Sequence, residues 1–205
     1  MSLLVWNCCG LGNPCIVREL GDYIRAQDRS VVFLAETWIN DARLDQVLRN
    51  FDFRHKWSVA SGTRGGGLVL LWKEEFRITV EDSSKYCIDV LVEKNTPWEW
   101  KFTGFYGELV TARRHEAWAK RRTLNDKPHI PWPCAGDFNE ITRQEEKVGG
   151  AIRAHSQMQA FQEFIDECGF MDLGFPIMID SYMNYIFFKN QKSNQGRISH
   201  GANII

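Results

Sequence analysis

The chain has 205 residues, 44% hydrophobic and 25% charged, with a formal net charge of −1, the balance of a globular protein with one substantial core and one domain. No apolar run approaches the roughly 18 to 20 residues that cross a bilayer and no basic segment leads into an apolar stretch, so the expectation is an intracellular protein, nuclear or cytoplasmic, neither secreted nor membrane-spanning. Near-neutral charge provides no global field for nucleic acid, so any DNA contact must come from a local patch.

The apolar run Leu3 to Trp6 predicts a strand that stops at Asn7. Asn13 followed by Pro14 is a helix start, with Asn as cap and Pro in the first turn, and Val17, Leu20 and Ile24 recur at helical spacing. Val31 to Leu34 is apolar throughout, as a strand covered on both faces should be, and delivers Glu36 just beyond its end. Further strands are predicted at Gly67 to Trp72, Phe76 to Val80, Cys87 to Val92 and Trp98 to Tyr106. The segment from Ala112 to Leu124 has helical composition, with Trp118 as a core anchor. Ile130, Trp132 and Cys134 lead a strand into "CAGDFNE", where alternation sets Asp137 and Asn139 on one face and turns Phe138 to the core. Met158, Phe161, Phe164 and Ile165 mark a last helix, capped by Ser156 and ended by Gly169. Strands outnumber what a simple βαβαβ alternation supplies, which favours two packed sheets with helices outside. The cysteines, Cys8, Cys9, Cys15, Cys87, Cys134 and Cys168, are scattered without a C-x-x-C pair and read as reduced, mostly buried thiols; clustered Cys and His for zinc are absent.

Polar groups gather at strand ends: Asn7, Glu36, Tyr106, then Asp137 and Asn139. Singly, each has an ordinary use: Asn7 in a turn, Glu36 as a solvated loop acid, Tyr106 as a packing aromatic, Asp137 with Asn139 as a capping pair. Their order is more specific. The stretches "WNCCGLGNP", "FLAETW", "GGGLVLLW", "FTGFYG" followed by "RRHEAW", and "GDFNEI" with a downstream "EKVGG" resemble the endonuclease/exonuclease/phosphatase superfamily, and within it the endonuclease domain of plant LINE-type, non-LTR retrotransposons.

The resemblance implies an α+β fold, a four-layer α/β/β/α sandwich of two mixed sheets flanked by helices, with a Mg²⁺- or Mn²⁺-dependent phosphodiesterase acting on DNA. Carried onto this sequence, it makes Glu36 the metal-binding carboxylate and Asp137 the group that orients or deprotonates water. Asn139 and Asn7 would position the nucleophile and phosphate oxygens, and Tyr106 would reach the scissile phosphate. Arg113, Arg114, Lys120 and Arg121, with His115 and Arg122, follow Tyr106 where contacts to a DNA backbone would be useful, or else form a solvated helix face.

The likeness is clear for residues 1–175 and weak for 176–205. "DSYMN" at 180–184 echoes an aromatic-rich family strand through Tyr182 and Asn184, and "RISH" at 197–200 sets Ser199 where the family has Asp. Cys9 stands where some relatives carry Asp. No counterpart of the family's final Asp-His pair precedes Ile205, so the expectation is one domain over 1–205 that is incomplete at its C-terminus and lacks terminal strand(s). Loss of a positioned acid or base costs about 10² to 10⁴ in rate. The alternatives are therefore an inactive retrotransposon-derived remnant or binding module, and an enzyme acting on a small phosphomonoester.

Overall fold

The computed structural model describes residues 1–60, 66–114, 117–119, 130–147, 149, 151–173, 177–179, 182–189 and 203–204, of which 177–179, 182–185 and 203–204 by their backbone alone. The strands are β1 (Ser2–Asn7), β2 (Val31–Ala35), β3 (His55–Val59), β4 (Leu68–Trp72), β5 (Ile78–Ser84), β6 (Cys87–Val92), β7 (Trp100–Tyr106), β8 (Trp132–Asp137), β9 (Met171–Asp172), β10 (Ile177–Ile179), β11 (Tyr182–Lys189) and β12 (Asn203–Ile204). The helices are α1 (Pro14–Ala26), α2 (Asp41–Leu48) and α3 (His155–Cys168), and residues 117–119 are also helical. One sheet runs β12-β1-β2-β4-β3 and the other β10-β11-β8-β7-β6-β5, with β9 paired to β11. Both are mixed: β1 and β2 are parallel, as are β7 and β8, while β2–β4, β6–β7 and β8–β11 are antiparallel.

Alternation along the strands builds three layers of core between and outside the sheets. Leu3, Val5, Val31, Phe33 and Leu70 of the first sheet face Ile88, Val90, Phe102, Ala135 and Ile186 of the second. The opposite faces, Leu4, Trp6, Val32 and Leu34, pack on Leu20 of α1 and on Leu44 and Val47 of α2. Cys134 and Phe187 pack on Phe161, Phe164 and Ile165 of α3. This is the four-layer α+β sandwich that the resemblance implied. Wholly apolar runs in β2 and β4 follow, since each strand is buried on both faces; β6 is buried throughout as well, but carries Asp89, which Lys101 of β7 pairs at 3.1 Å. Gly104, on the inner face of β7, leaves room for the Phe33 ring of β2: a Cβ there would lie 2.2 Å from Cδ2 of Phe33.

Local chemistry sets the helix ends. Asn13 accepts from Cys15 N at 2.9 Å with Pro14 behind it, and Asn40 caps α2 by accepting from Arg43 N at 2.9 Å. Gly169 closes α3 with φ +66°. Ser156 is not the cap of α3. The helix begins two residues earlier than that cap would set it, at His155, because Ala154 takes the cap position and its carbonyl accepts from Gln157 N and Met158 N.

Sequence reading omits β3 and α2 altogether. β3 is an edge strand with a half-exposed, polar pattern, and α2 spans 8 residues, too few for a helical period to stand out. On its other side from β2, β1 is paired in parallel at Ser2 and Leu3 by β12. Of the six cysteines, Cys9 and Cys15 are exposed and the others buried.

Candidate active site

The two parallel strand pairs end side by side. β1 and β2 align Asn7 with Ala35, and β7 and β8 align Tyr106 with Asp137. Asn7, Tyr106 and Asp137 continue the inward-facing series of their strands, so alternation alone aims all of them into the gap between the sheets. Glu36 is different. As the residue after Ala35 it should point to the helix side with Leu34, but its left-handed φ of +56° breaks the alternation.

The backbone enforces that turn. Cys8 N donates to Ala35 O at 3.0 Å, Gly10 N to Glu36 O at 2.8 Å and Leu11 N to Thr37 O at 2.9 Å, so the loop after β1 is zipped to the loop after β2. Cys9, Trp38 and Asn139 share the positive φ of Glu36, at +44°, +53° and +55°. Non-glycine residues held there cost of order 1–3 kcal/mol each and persist where the surroundings over-determine them, as at functional sites.

At the centre, Asn7 Nδ2 donates to Glu36 Oε1 at 2.9 Å and to Asp137 Oδ2 at 3.1 Å. Tyr106 Oη donates to the same Glu36 oxygen at 2.8 Å. Asn139 N donates to Asp137 Oδ1 at 2.8 Å, and its Nδ2 to Gly107 O at 2.9 Å. The structure thus gathers all five predicted strand-end residues. Burial raises Asp137 from its ordinary value of 3.8 to about 6; the donors Asn139 N and Asn7 and the charge of Arg114 work against that rise, and Glu36 adds to it. Burial, reinforced by the bond to Glu36, raises the Tyr106 phenol above its usual range, so it remains a proton-bearing donor.

Glu36 and Asp137 are both buried, yet neither is ion-paired to a described cationic side chain, and Glu36 Oε2 accepts no hydrogen bond from a described residue. Two uncompensated carboxylates with an amide between them are a hard-oxygen donor set. Among the described residues there is no group of three His, Cys, Asp or Glu able to enclose a metal. Mg²⁺ does not need one, since it is commonly held by one or two carboxylates with water and substrate phosphate completing its shell. The residues present fit such an ion.

The basic residues divide. Arg113 lies exposed in a short 3₁₀ turn, Thr111–Arg113, while Lys120 and Arg121, like His115, Arg122 and Ser199, lie outside the described residues. Arg114 is buried: its Nη1 pairs with Glu140 Oε2 and its Nε donates to Glu108 O at 3.1 Å. Arg153 Nε lies 2.7 Å from the other Glu140 oxygen, off the line of a hydrogen bond. This Arg114–Glu140–Arg153 cluster is what sequence reading missed. Its signal was the last residue of "GDFNE", a charge following directly on a buried strand end. Asn184, in "DSYMN", stands opposite Asp137 in the β8–β11 register.

With this geometry, the sequence matches the Endonuclease/Exonuclease/phosphatase family over residues 4–192, and the chain belongs to that family. No curated protein matches it in sequence. Its fold is similar to an AP endonuclease from Archaeoglobus fulgidus, with a TM-score of 0.69 and 9% identity over 91% of this chain and 86% of that one. It is similar too to the endonuclease domain of TRAS1, a telomere-specific non-LTR retrotransposon (0.65 and 14%, over 92% and 84%). A third is a 3′ phosphatase from Neisseria bound to a product DNA hairpin (0.62 and 13%, over 91% and 86%). Family enzymes generally use divalent metal ions. Among the described residues no helix is long and apolar enough to cross a membrane.

Proposed function

We propose that this chain is a divalent-metal-dependent phosphodiesterase of retrotransposon descent, LINE-type and non-LTR, that nicks one strand of DNA to leave a 3′ hydroxyl. The observation that carries this reading is the Asn7 amide joining Glu36 and Asp137, two buried carboxylates without a cationic partner among the described residues. The similarity to DNA-processing enzymes supports the substrate class.

Glu36, with Asn7 and Asp137 beside it, would hold Mg²⁺ or Mn²⁺, which when bound supplies charge stabilisation to the phosphoryl oxygens. A carboxylate offers about four acceptor positions, and Asp137 has committed one on each oxygen, to Asn139 N and Asn7 Nδ2. It therefore keeps room to accept a proton from water. The water oxygen bonds to phosphorus in line with the departing O3′, the P–O3′ bond breaks, the water proton passes to Asp137, and the 3′ oxygen takes a proton from solvent. Asn139 keeps one amide hydrogen beyond its bond to Gly107 O, and Tyr106 and Asn7, which donate to the carboxylates in the ion-free protein, are neutral donors that would turn to phosphoryl oxygens once a cation occupies Glu36, without adding repulsion.

Supercoiled plasmid incubated with the protein and Mg²⁺ or Mn²⁺ should give nicked circles, and EDTA should stop the reaction. Glu36→Ala and Asp137→Ala should each cut the rate by about 10² to 10⁴. Nicking that persists undiminished in both variants would remove the site assignment. A folded wild type that nicks nothing leaves an inactive family member, and phosphate release from inositol phosphates without nicking moves the substrate to small phosphomonoesters.

A further inference from the structure

Trp38 ends the "FLAETW" stretch, two residues beyond Glu36. It is 51% exposed, although tryptophan offers more apolar surface for burial than any other side chain. It is also held firmly. Trp38 N donates to Gly66 O at 3.1 Å and the preceding Thr37 N to Gly67 O at 3.3 Å. Its φ of +53° is a conformation that a bulky residue adopts only under constraint. The six-membered ring lies against Gly10, where a Cβ would come within 2.8 Å of Trp38 Cε3, and Gly10 N is itself bonded to the carbonyl of Glu36. Two glycine-containing segments thus fix an aromatic ring with about half of it open to solvent.

Position gives the ring a use. Two residues of chain span at most about 7 Å, so the backbone that carries Trp38 starts within a nucleotide's length of the backbone that carries Glu36. A phosphate held at Glu36 brings its attached base to that distance. Stacking on an aromatic face is how proteins hold bases without reading their sequence, and a small phosphomonoester would gain nothing from it.

We infer that Trp38 is a stacking platform for the nucleobase next to the scissile phosphate, and that the preferred substrate is single-stranded or locally unstacked DNA, whose bases have a free face. This rests on the DNA reading above and specifies its substrate. The test is fluorescence anisotropy with a fluorescein-labelled single-stranded oligonucleotide and an abasic deoxyribose-phosphate oligomer of equal length, with Ca²⁺ in place of Mg²⁺. Wild type, Trp38→Ala, Trp38→Leu and Trp38→Phe are compared, each first checked by a thermal melt. Loss of one base–aromatic stack should weaken binding of the base-bearing strand roughly 5- to 100-fold in the Ala and Leu variants, leave the abasic oligomer within about twofold, and largely spare the Phe variant. Leu fills the space over Gly10 without a π face, so it separates stacking from packing if Ala fails to fold. Equal losses on both oligomers, or none on either, would overturn the inference while leaving the DNA reading in place. A wild type that binds neither oligomer overturns both.

Discussion

At Asp137, burial and hydrogen bonding pull in opposite directions, and burial wins. Its carboxyl is raised from 3.8 to about 6 despite donors on both oxygens, so in the ion-free protein the charged form is the disfavoured one. The folded state then holds a proton that the unfolded chain has released, and its advantage is complete below pH 3.8 and lost as pH rises past about 6. The rise to about 6 corresponds to about 3 kcal/mol. Asp137→Asn keeps the shape and removes the titration. Without divalent ions it should match wild type in thermal stability near pH 3.5 and exceed it by up to about 3 kcal/mol at pH 8, while losing nicking activity. Equal melting curves at both pH values would show that the carboxylate carries no burial cost. The strand-end position of Asp137 was legible from alternation in "CAGDFNE". The direction of Glu36 was not, because a φ of +56° at one residue leaves no mark in hydropathy.

Among the elements, the loops past β1, β2, β7 and β8 matter most, because each site residue is the last of its strand or just beyond it. The loop after β7 is held through Arg114, which reaches Glu108 O and the buried Glu140. Sequence reading set Arg114 with Arg113, Lys120 and Arg121 as a DNA-contacting group. Its guanidinium instead has a side-chain exposure of 7% against 0% for Glu140, and burial lowers its pKa even as Glu140 holds it up. Removing one partner of a buried pair leaves the other charge uncompensated, at about 3–5 kcal/mol. With Arg153 still beside Glu140, Arg114→Met should cost about 3 kcal/mol in urea unfolding and change the melting temperature at any salt concentration. A variant as stable as wild type, but with DNA affinity and its salt dependence reduced, would return Arg114 to the phosphate-contacting set. Pattern reading finds β2 and β4 because double burial makes them apolar throughout, and β6 because Ile88, Val90 and Val92 alternate along it. It loses β3, whose edge position leaves the strand polar, and it cannot see an ion pair between residues 26 apart.

For the molecule as a whole, the four layers follow from alternation: one face of each sheet meets the other sheet and the opposite face meets helices. That much follows from counting strands and helices. The meeting of Asn7, Glu36, Tyr106 and Asp137 does not, since it depends on two sheets presenting the carboxyl ends of parallel strands at the same place; there only the ordered likeness of whole motifs pointed the way. The claim on which the chemistry depends is that these buried carboxylates exist to hold a divalent cation. Titration of the ion-free protein with Mn²⁺ at pH 7.5, read by isothermal calorimetry and by the shift in melting temperature, tests it most directly. Stoichiometric binding that raises the melting temperature, and that Glu36→Ala abolishes while remaining folded, is the predicted result; Mn²⁺ binding equally well to Glu36→Ala, or not at all to wild type, would contradict it.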